Sequence, residues 1–441
     1  MNCYLLYVEG ELSMTHAQSG NVQSGENKSV FSLFRNRFVQ AIMVAGLFMQ
    51  IGVWVRNFAV LLFVMEMTNG DPFAVSMVSV AEFAPIFIFS FIGGTFADRW
   101  RPKRTMIWCD FLSALSVFAV MWTIVLGDWH AVFFTTFISA ILSQFSQPSS
   151  MKLFKQHVPE EMLQAGMSIF QTMVALFMVL GPAIGTTIFQ HYGIQVSLVI
   201  TGIAFILSAV ALLFLPADHA EDKEKHKQTN VAQELAAGFR YVMKSRLLKP
   251  LGGCFAFAGL AIGLIQPMGA FLVTERLGLP KENLSYLVMV NGGAMLIGGA
   301  LAMGISKKLL PQHMLAVGML MSSGGMLMAG LSTQLWLTLV AQFISGLFLP
   351  CIQIGINTMI LQNTEGDFIG RVNGILSPMF TGAMVLTMSL SGGIKQLTSI
   401  VFIYEVATVL FILGILVMLP ILLTRKPSPN DSLQRTTGTE G

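Results

Sequence analysis

The chain is poor in charge. Of its 441 residues only 11% are Asp, Glu, Lys or Arg, against 54% hydrophobic. A soluble domain carries about 25% charged residues. A chain with less than half of that cannot clothe a water-facing surface, which excludes a soluble globular fold and leaves lipid as the fitting solvent. The net charge of +3 is too small to hold a polyanion, so no nucleic acid is expected as a partner. Cysteine is scarce as well. Cys3, Cys109, Cys254 and Cys351 lie far apart, with no C-x-x-C or Cys/His cluster, which argues against a disulfide framework and against any metal site. No G-x-x-x-x-G-K-[ST] loop occurs, so direct drive by ATP is not expected. No set of nucleophile, base and oxyanion donors emerges either, so the chain reads as no enzyme, and no cofactor is called for. The first 30 residues lack a basic stretch followed by a usable apolar core and read as a tail, not a signal peptide.

What the chain has is long apolar runs. Twelve are found, at roughly 38–66, 73–97, 104–126, 130–149, 165–189 and 194–215, then 249–273, 284–305, 313–331, 335–361, 370–394 and 399–423. Each is long enough, at about 1.5 Å per residue, to cross a hydrocarbon core about 30 Å thick. Backbone groups in lipid must be satisfied within the chain, and runs of this length do so as helices. The expected organisation is a disordered cytoplasmic tail (1–35), a six-helix bundle (36–216), a polar linker (217–248), a second six-helix bundle (249–424) and a cytoplasmic tail (425–441). From Val231 to Lys249 the linker has apolar residues at helical spacing, which predicts a short amphipathic helix, either on the membrane surface or as part of a solvated linker.

The bases are unevenly placed. If the N-terminus is cytoplasmic, then of the 26 Lys and Arg only Arg276, Lys281 and Lys395 fall outside, and Arg56 lies within a helix. This follows the positive-inside rule and sets both termini in the cytoplasm of a multi-pass plasma-membrane protein. The halves also echo each other. Gly93–Gly94 and Gly298–Gly299 each precede a basic loop, and Pro148 of the fourth run matches Pro350 of the tenth. Such symmetry marks a transporter built of related halves.

Between runs two and three stands GGTFADRWRPKRTM, residues 93–106. Gly94, Asp98, Arg99, Lys103 and Arg104 fit the pattern G-x-x-x-D-R-x-x-x-[KR]-[KR]. With twelve runs, two halves and a long central loop, the chain resembles the major facilitator superfamily over nearly its whole length. The resemblance implies an all-α membrane fold of two pseudo-symmetric six-helix bundles, and a conformational latch in which Asp98 grips the start of helix 11 near Gly370 and Arg371. The matching loop of the second half has Met303 where Asp98 would stand, so the latch is expected on one side only. In run five, VLGPAIGTTI (179–188) places Gly181, Pro182 and Gly185 where the family's exporters carry an antiporter motif. Proline kinks the helix, and the glycines are expected to let helix 5 pack closely against its partner in the other half. The runs SMVSVAEFAPIFIFSFIGGTFADR and FSQPSSMKLFKQHVPEEMLQAGMSIFQ are similar to the macrolide-efflux-like drug:proton antiporter branch, which also lacks an arginine in helix 4. Arg56 and Glu82 depart from that branch.

A charge at mid-bilayer costs about 2.5–3.5 kcal/mol on insertion scales, so each needs a reason. Arg56 and Glu82 fall at similar depth in the first hairpin and are read as a pair, either a static bridge or a proton-sensitive one. Asp110, near the inner end of helix 3, is a further proton-coupling candidate that also suits support of the loop after helix 2. Gln50, Asn57, Gln171, Gln266, Asn291 and Gln353 are the candidates for lining a substrate cavity, among 34 Phe and 29 Met that suit bulky amphipathic molecules. The resulting expectation is an exporter of a hydrophobic small molecule, monomeric, exchanging substrate for protons and contacting membrane lipid. A lysophospholipid or lipid-intermediate flippase, a symporting importer, and a non-transporting sensor or scaffold are the alternatives.

Overall fold

The computed structural model describes residues 37–158, 160–215, 231–306 and 309–423, with the side chains of 90–99, 155, 160, 161, 164, 231–235 and 367 outside that description. Among the described residues the chain is helical throughout, as its lipid-like composition requires. The membrane helices are α1 (Arg37–Met67), α2 (Pro72–Arg99), α3 (Pro102–Val125) and α4 (Val132–His157). A single rod, Glu160–Leu213, supplies α5 and α6. Then follow α7 (Leu248–Arg276), α8 (Leu284–Ile305), α9 (Pro311–Leu331), α10 (Leu335–Asn363), α11 (Ile369–Leu397) and α12 (Ile400–Leu423). A separate linker helix spans Val231–Lys244.

The rod from Glu160 to Leu213 is too long for one crossing. It breaks at Gly193, where φ is +72° and ψ −174°, a conformation that residues with a Cβ rarely adopt. The break turns α5 (160–192) into α6 (193–213) at one face of the molecule. We call this the far face, and the opposite one, where the linker helix sits, the linker face. Among the described residues ten stretches are apolar and long enough to span, with Ala165–Leu213 holding two of the crossings. The twelfth crossing, α4, is less apolar because Thr135, Thr136, Ser139, Ser143, Gln144, Ser146, Gln147, Ser149 and Ser150 interrupt it.

Packing repeats between the halves. In the first half α1 lies against α5 and α6, α2 and α3 against α4, and α3 against α6; in the second, α7 lies against α11 and α12, α8 and α9 against α10, and α9 against α12. The halves meet where α2 packs on α11 and α5 on α8. Exchanging the halves maps each of these contacts onto the other, which is the pseudo-twofold the sequence echo predicts. One apolar core joins the halves: Trp54, Phe58 and Met65 of α1, Val75 and Phe83 of α2, and Phe177 and Met178 of α5 cluster with the interior of the second half. Most of these residues lie between the middle of the molecule and the far face.

Candidate functional site

The seam between the halves is closed at the far face by polar contacts. Lys281, just before α8, donates from Nζ to Glu66 Oε1 (2.7 Å) and to Leu62 O (3.2 Å) across the seam, and lies 5.9 Å from the Phe189 ring centroid. Gln396 Nε2 donates to Asp71 Oδ1 at 2.9 Å. The same carboxylate caps α2 by accepting from the Phe73 and Ala74 amides, so the cap and the clasp are one group. Deeper in, Ser76 Oγ and Ser391 Oγ stand 3.1 Å apart, both fully buried. Beside them Gly392 lies against the backbone of Pro72 and Phe73, an approach only glycine allows. Lys281→Gln leaves Glu66 without its ammonium. We expect a cysteine placed at Ser391 to react several-fold faster with an impermeant maleimide in that background; an unchanged rate would show that the ion pair does not hold the seam.

Toward the linker face a pocket opens among α1, α3, α4, α5 and α6. Met49, Met106, Met151 and Phe170 give it an apolar wall, and Ser143, Ser146, Gln147, Ser150 and Gln171 a polar one. Among the described residues, Asp110 is the one ionisable side chain on this lining. It is 6% exposed, and Ser208 Oγ of α6 donates to its Oδ2 at 2.6 Å. This contact ties α3 to α6. A second pocket lies within the other half, lined by Cys254, Phe255, Met319, Gln353 and Phe380 among others.

Arg56 and Glu82 are brought together, but through a third residue. Arg56 donates from Nε (3.2 Å) and a terminal nitrogen (2.9 Å) to Asn57 Oδ1, and Asn57 Nδ2 donates to Glu82 Oε1 at 2.9 Å. An amide has both an acceptor and a donor end, so Asn57 can serve cation and carboxylate at once. That corrects the expectation of a simple pair, and places Asn57 in a relay that ties α1 to α2. Asn291 is likewise drawn into a helix contact: its Nδ2 donates to Gln342 O (3.1 Å) and Oε1 (3.3 Å), fastening α8 to α10. Of the other cavity candidates, Gln171 and Gln353 line the two pockets and Gln50 is buried in α1. Gln266 is exposed where α7 passes into a short 3-10 segment, Gln266–Met268, that rests on α2.

The glycines of the helix-5 motif do permit close packing, but on a different partner. A Cβ at Gly185 would lie 2.8 Å from Trp54 O and 2.9 Å from Phe58 Cβ, and Gly181 sits on the Trp54 ring. Both neighbours belong to α1 of the same half. The reason is the pitch of the rod: Gly181 and Gly185, one turn apart, share the α1 face, while Met178 points to α8, against Gly292. Pro182 is inside the helix, as expected. Gly185→Leu should lower the melting temperature markedly, since overpacking costs about 1–3 kcal/mol or more. Gly293→Ala, into open space, should leave it unchanged; equal melting of the two variants in detergent would refute the close-approach account.

The basic motif is less of a loop than the sequence suggests. α2 runs on through Gly94 and Asp98 to Arg99, and α3 begins at Pro102, so two residues make the turn. The side chains of Asp98 and Arg99 and the surroundings of Gly94 lie outside the described residues, as do both chain ends. Lys103 donates from Nζ to Leu213 O (3.0 Å) and Leu215 O, supplying a cation to the carbonyl end of α6, where the helix dipole favours one. Arg104 is exposed. At the other end of the expected latch, Gly370 is exposed and the Arg371 guanidinium lies 4.9 Å from the Phe368 ring centroid. Met303 is exposed on α8. Glu405, on α12 near the far face, is exposed too, whereas Lys395 pairs with Glu275 at 2.7 Å.

Three comparisons bear on this architecture. The family model described as Major Facilitator Superfamily matches residues 42–317 and 251–439. Among curated proteins, an uncharacterized MFS-type transporter of Bacillus subtilis, YkuC, is 24% identical over 81% of this chain and 85% of its own. Macrolide efflux protein A of Streptococcus pyogenes is 21% identical over 76% of this chain and 84% of its own. The multidrug efflux pump Tap of Mycolicibacterium fortuitum is 26% identical over 74% and 81%. Among solved structures, a point mutant of the nucleoside transporter NupG superposes with a TM-score of 0.71 at 11% identity, covering 87% of this chain and 99% of that one. The human organic anion transporter MFSD10 gives 0.62 at 15% identity over 87% and 99%. The model's span, covering well over half the sequence, agrees with the paired bundles and their pseudo-twofold: the chain belongs to the Major Facilitator Superfamily.

Proposed function

We propose that this membrane transporter is a secondary active exporter of drugs or amphipathic metabolites, driven by proton antiport through alternating access. The observation that carries the proposal is the linker-face pocket, whose methionines and Phe170 surround a buried carboxylate, Asp110. Methionine and phenylalanine adapt to varied apolar shapes, and a lone carboxylate can hold a proton or exchange it for a cationic substrate. The polar contacts across the seam at the far face support a state that loads from the linker side. The basic residues favour that side as the cytoplasm of a plasma-membrane protein, with both termini inside, and the 36–216 and 249–424 bundles as the moving units. The efflux proteins among the relatives point the same way.

In this reading Asp98 latches onto Gly370 and Arg371 when the cytoplasmic side closes, and the Gly181–Pro182–Gly185 stretch keeps α5 tight on α1 as the halves rock. Asp110 is the proton site. The Arg56–Asn57–Glu82 relay holds the first hairpin, so Glu82→Gln is expected to lower protein yield while leaving coupling intact. Transport in inside-out vesicles under an imposed pH gradient tests the whole. Drug uptake that a protonophore collapses is the expected result. Gradient-independent movement of lysolipid would replace the exporter with a flippase, and no movement of either would leave a sensor or scaffold.

A further inference from the structure

Among its described residues the linker helix has two faces, and the contacts described occupy one of them. Gly238, Tyr241 and Val242 form the occupied face. A Cβ at Gly238 would lie 2.8 Å from Arg371 O, so the absence of a side chain lets the helix rest on the α11 backbone. Tyr241 stacks on Phe368 with centroids 4.6 Å apart and planes 14° apart. Its hydroxyl accepts from the Glu365 amide at 3.3 Å. Since Arg371 also lies against that ring, at 4.9 Å from the Phe368 centroid, the helix is fastened to the head of α11.

The second face is apolar and basic. Phe239 is 56% exposed and Met243 46%; one turn apart, they make a stripe. Arg240 and Lys244, also one turn apart, run beside it, and Arg246 and Lys249 follow; all four are exposed. No Asp or Glu occurs from Ala236 to Lys249, and Glu365, whose amide meets Tyr241, belongs to the occupied side. The helix ends at Lys244 and α7 enters the membrane from Leu248, with Ser245 Oγ accepting from the Leu248 amide at 3.2 Å to make the turn. The exposed face is thus held at the level of the headgroups by the span that follows it. An apolar stripe flanked by bases at that level matches a surface of acyl chains under anionic headgroups.

We propose that the linker helix docks its Phe239–Met243 stripe into the bilayer surface, with Arg240 and Lys244 on anionic lipid headgroups. Its other face grips Phe368 and Arg371, so the lipid surface bears on the same segment that the proposed latch would hold. The docking itself requires no drug and no proton, and its test reads the same whether or not the exporter reading stands.

The test uses the full chain in nanodiscs, with Cys3→Ser and Met243→Cys carrying a bimane label. The three remaining cysteines are buried and free. In phosphatidylcholine alone the label should be quenched by aqueous iodide. With phosphatidylglycerol added it should become shielded from iodide and quenched several-fold more by lipids brominated on their chains. High salt should reverse the shift, since it screens charges beyond a few ångströms. Arg240→Gln with Lys244→Gln should raise the anionic fraction needed several-fold, and Arg240→Lys with Lys244→Arg should restore it. Melting temperature shows that each variant is folded. Equal iodide access in both bilayers overturns the proposal, as does lipid quenching indifferent to headgroup charge. Shielding from both quenchers overturns it too, by showing that protein covers the face.

Discussion

Ser76→Cys and Ser391→Cys, introduced together and oxidised, will stop transport, and a reductant will restart it. The two hydroxyl oxygens stand 3.1 Å apart on α2 and α11 and are fully buried, so a disulfide can join the positions with slight adjustment. The bond would span the halves close to the far face, where Gly392 already lies against the α2 backbone. Alternating access requires that contact to part. A molecule locked there keeps its linker-face pocket and can still bind substrate, but it cannot release it on the other side. Binding at wild-type affinity with turnover reduced to background is therefore the expected pair of results, and each single cysteine should be close to wild type. Lys281→Gln in the same protein should slow spontaneous cross-linking, because the neighbouring clasp to Glu66 (2.7 Å) would no longer hold the helices in register. Continued transport by the oxidised, fully cross-linked protein would mean that the halves do not separate along α2 and α11.

The clasp itself was not legible in the sequence, and the reason is physical. Lys281, Glu66, Asp71 and Gln396 occupy loops and helix ends, where polar residues need no partner to be comfortable. Their composition is the same whether they meet water or one another. The helices were legible because lipid imposes a demand that leaves a run of apolar residues, and Gly193 marks where two such runs join within one rod, directly after the polar Gln190 and His191. Inside the membrane the same difficulty returns with amides. Asn57 and Asn291 read as cavity residues, yet one bridges Arg56 to Glu82 and the other fastens α8 to α10. A buried amide is equally explained by a wet cavity or by a neighbouring helix, and sequence does not name the neighbour. Gly181 and Gly185 make the same point: close packing could be foreseen, but not that α1 receives it. The pocket did leave one trace in the sequence. Ser143, Ser146 and Ser150 recur at helical spacing along one side of α4, and in a span short of apolar residues such a face marks a polar wall. It is the wall that faces Asp110.

Asp110→Asn should abolish proton-driven accumulation while leaving downhill movement of substrate. Asparagine keeps the shape and can still accept from Ser208 Oγ, which in the wild type donates at 2.6 Å, so the bundle should fold. What it loses is the ability to exchange a proton. One pH unit stores about 1.4 kcal/mol per proton, equivalent to a tenfold concentration ratio. Wild-type vesicles under a one-unit gradient should therefore concentrate substrate up to about tenfold for each proton exchanged, and Asp110→Asn vesicles should stop at a ratio of about one. Ser208→Ala provides a graded control: it removes the hydroxyl and keeps the carboxylate, so coupling should persist with its pH dependence displaced. Glu82→Gln is the contrasting control. Its carboxylate accepts from Asn57 at 2.9 Å on the other side of α1's relay, away from the pocket lining, and its loss should act on the hairpin and leave the accumulation ratio alone. Were Glu82→Gln to collapse the gradient-driven ratio while Asp110→Asn kept it, the proton would have to travel through the relay between α1 and α2, and the pocket carboxylate would serve only to hold α3 to α6.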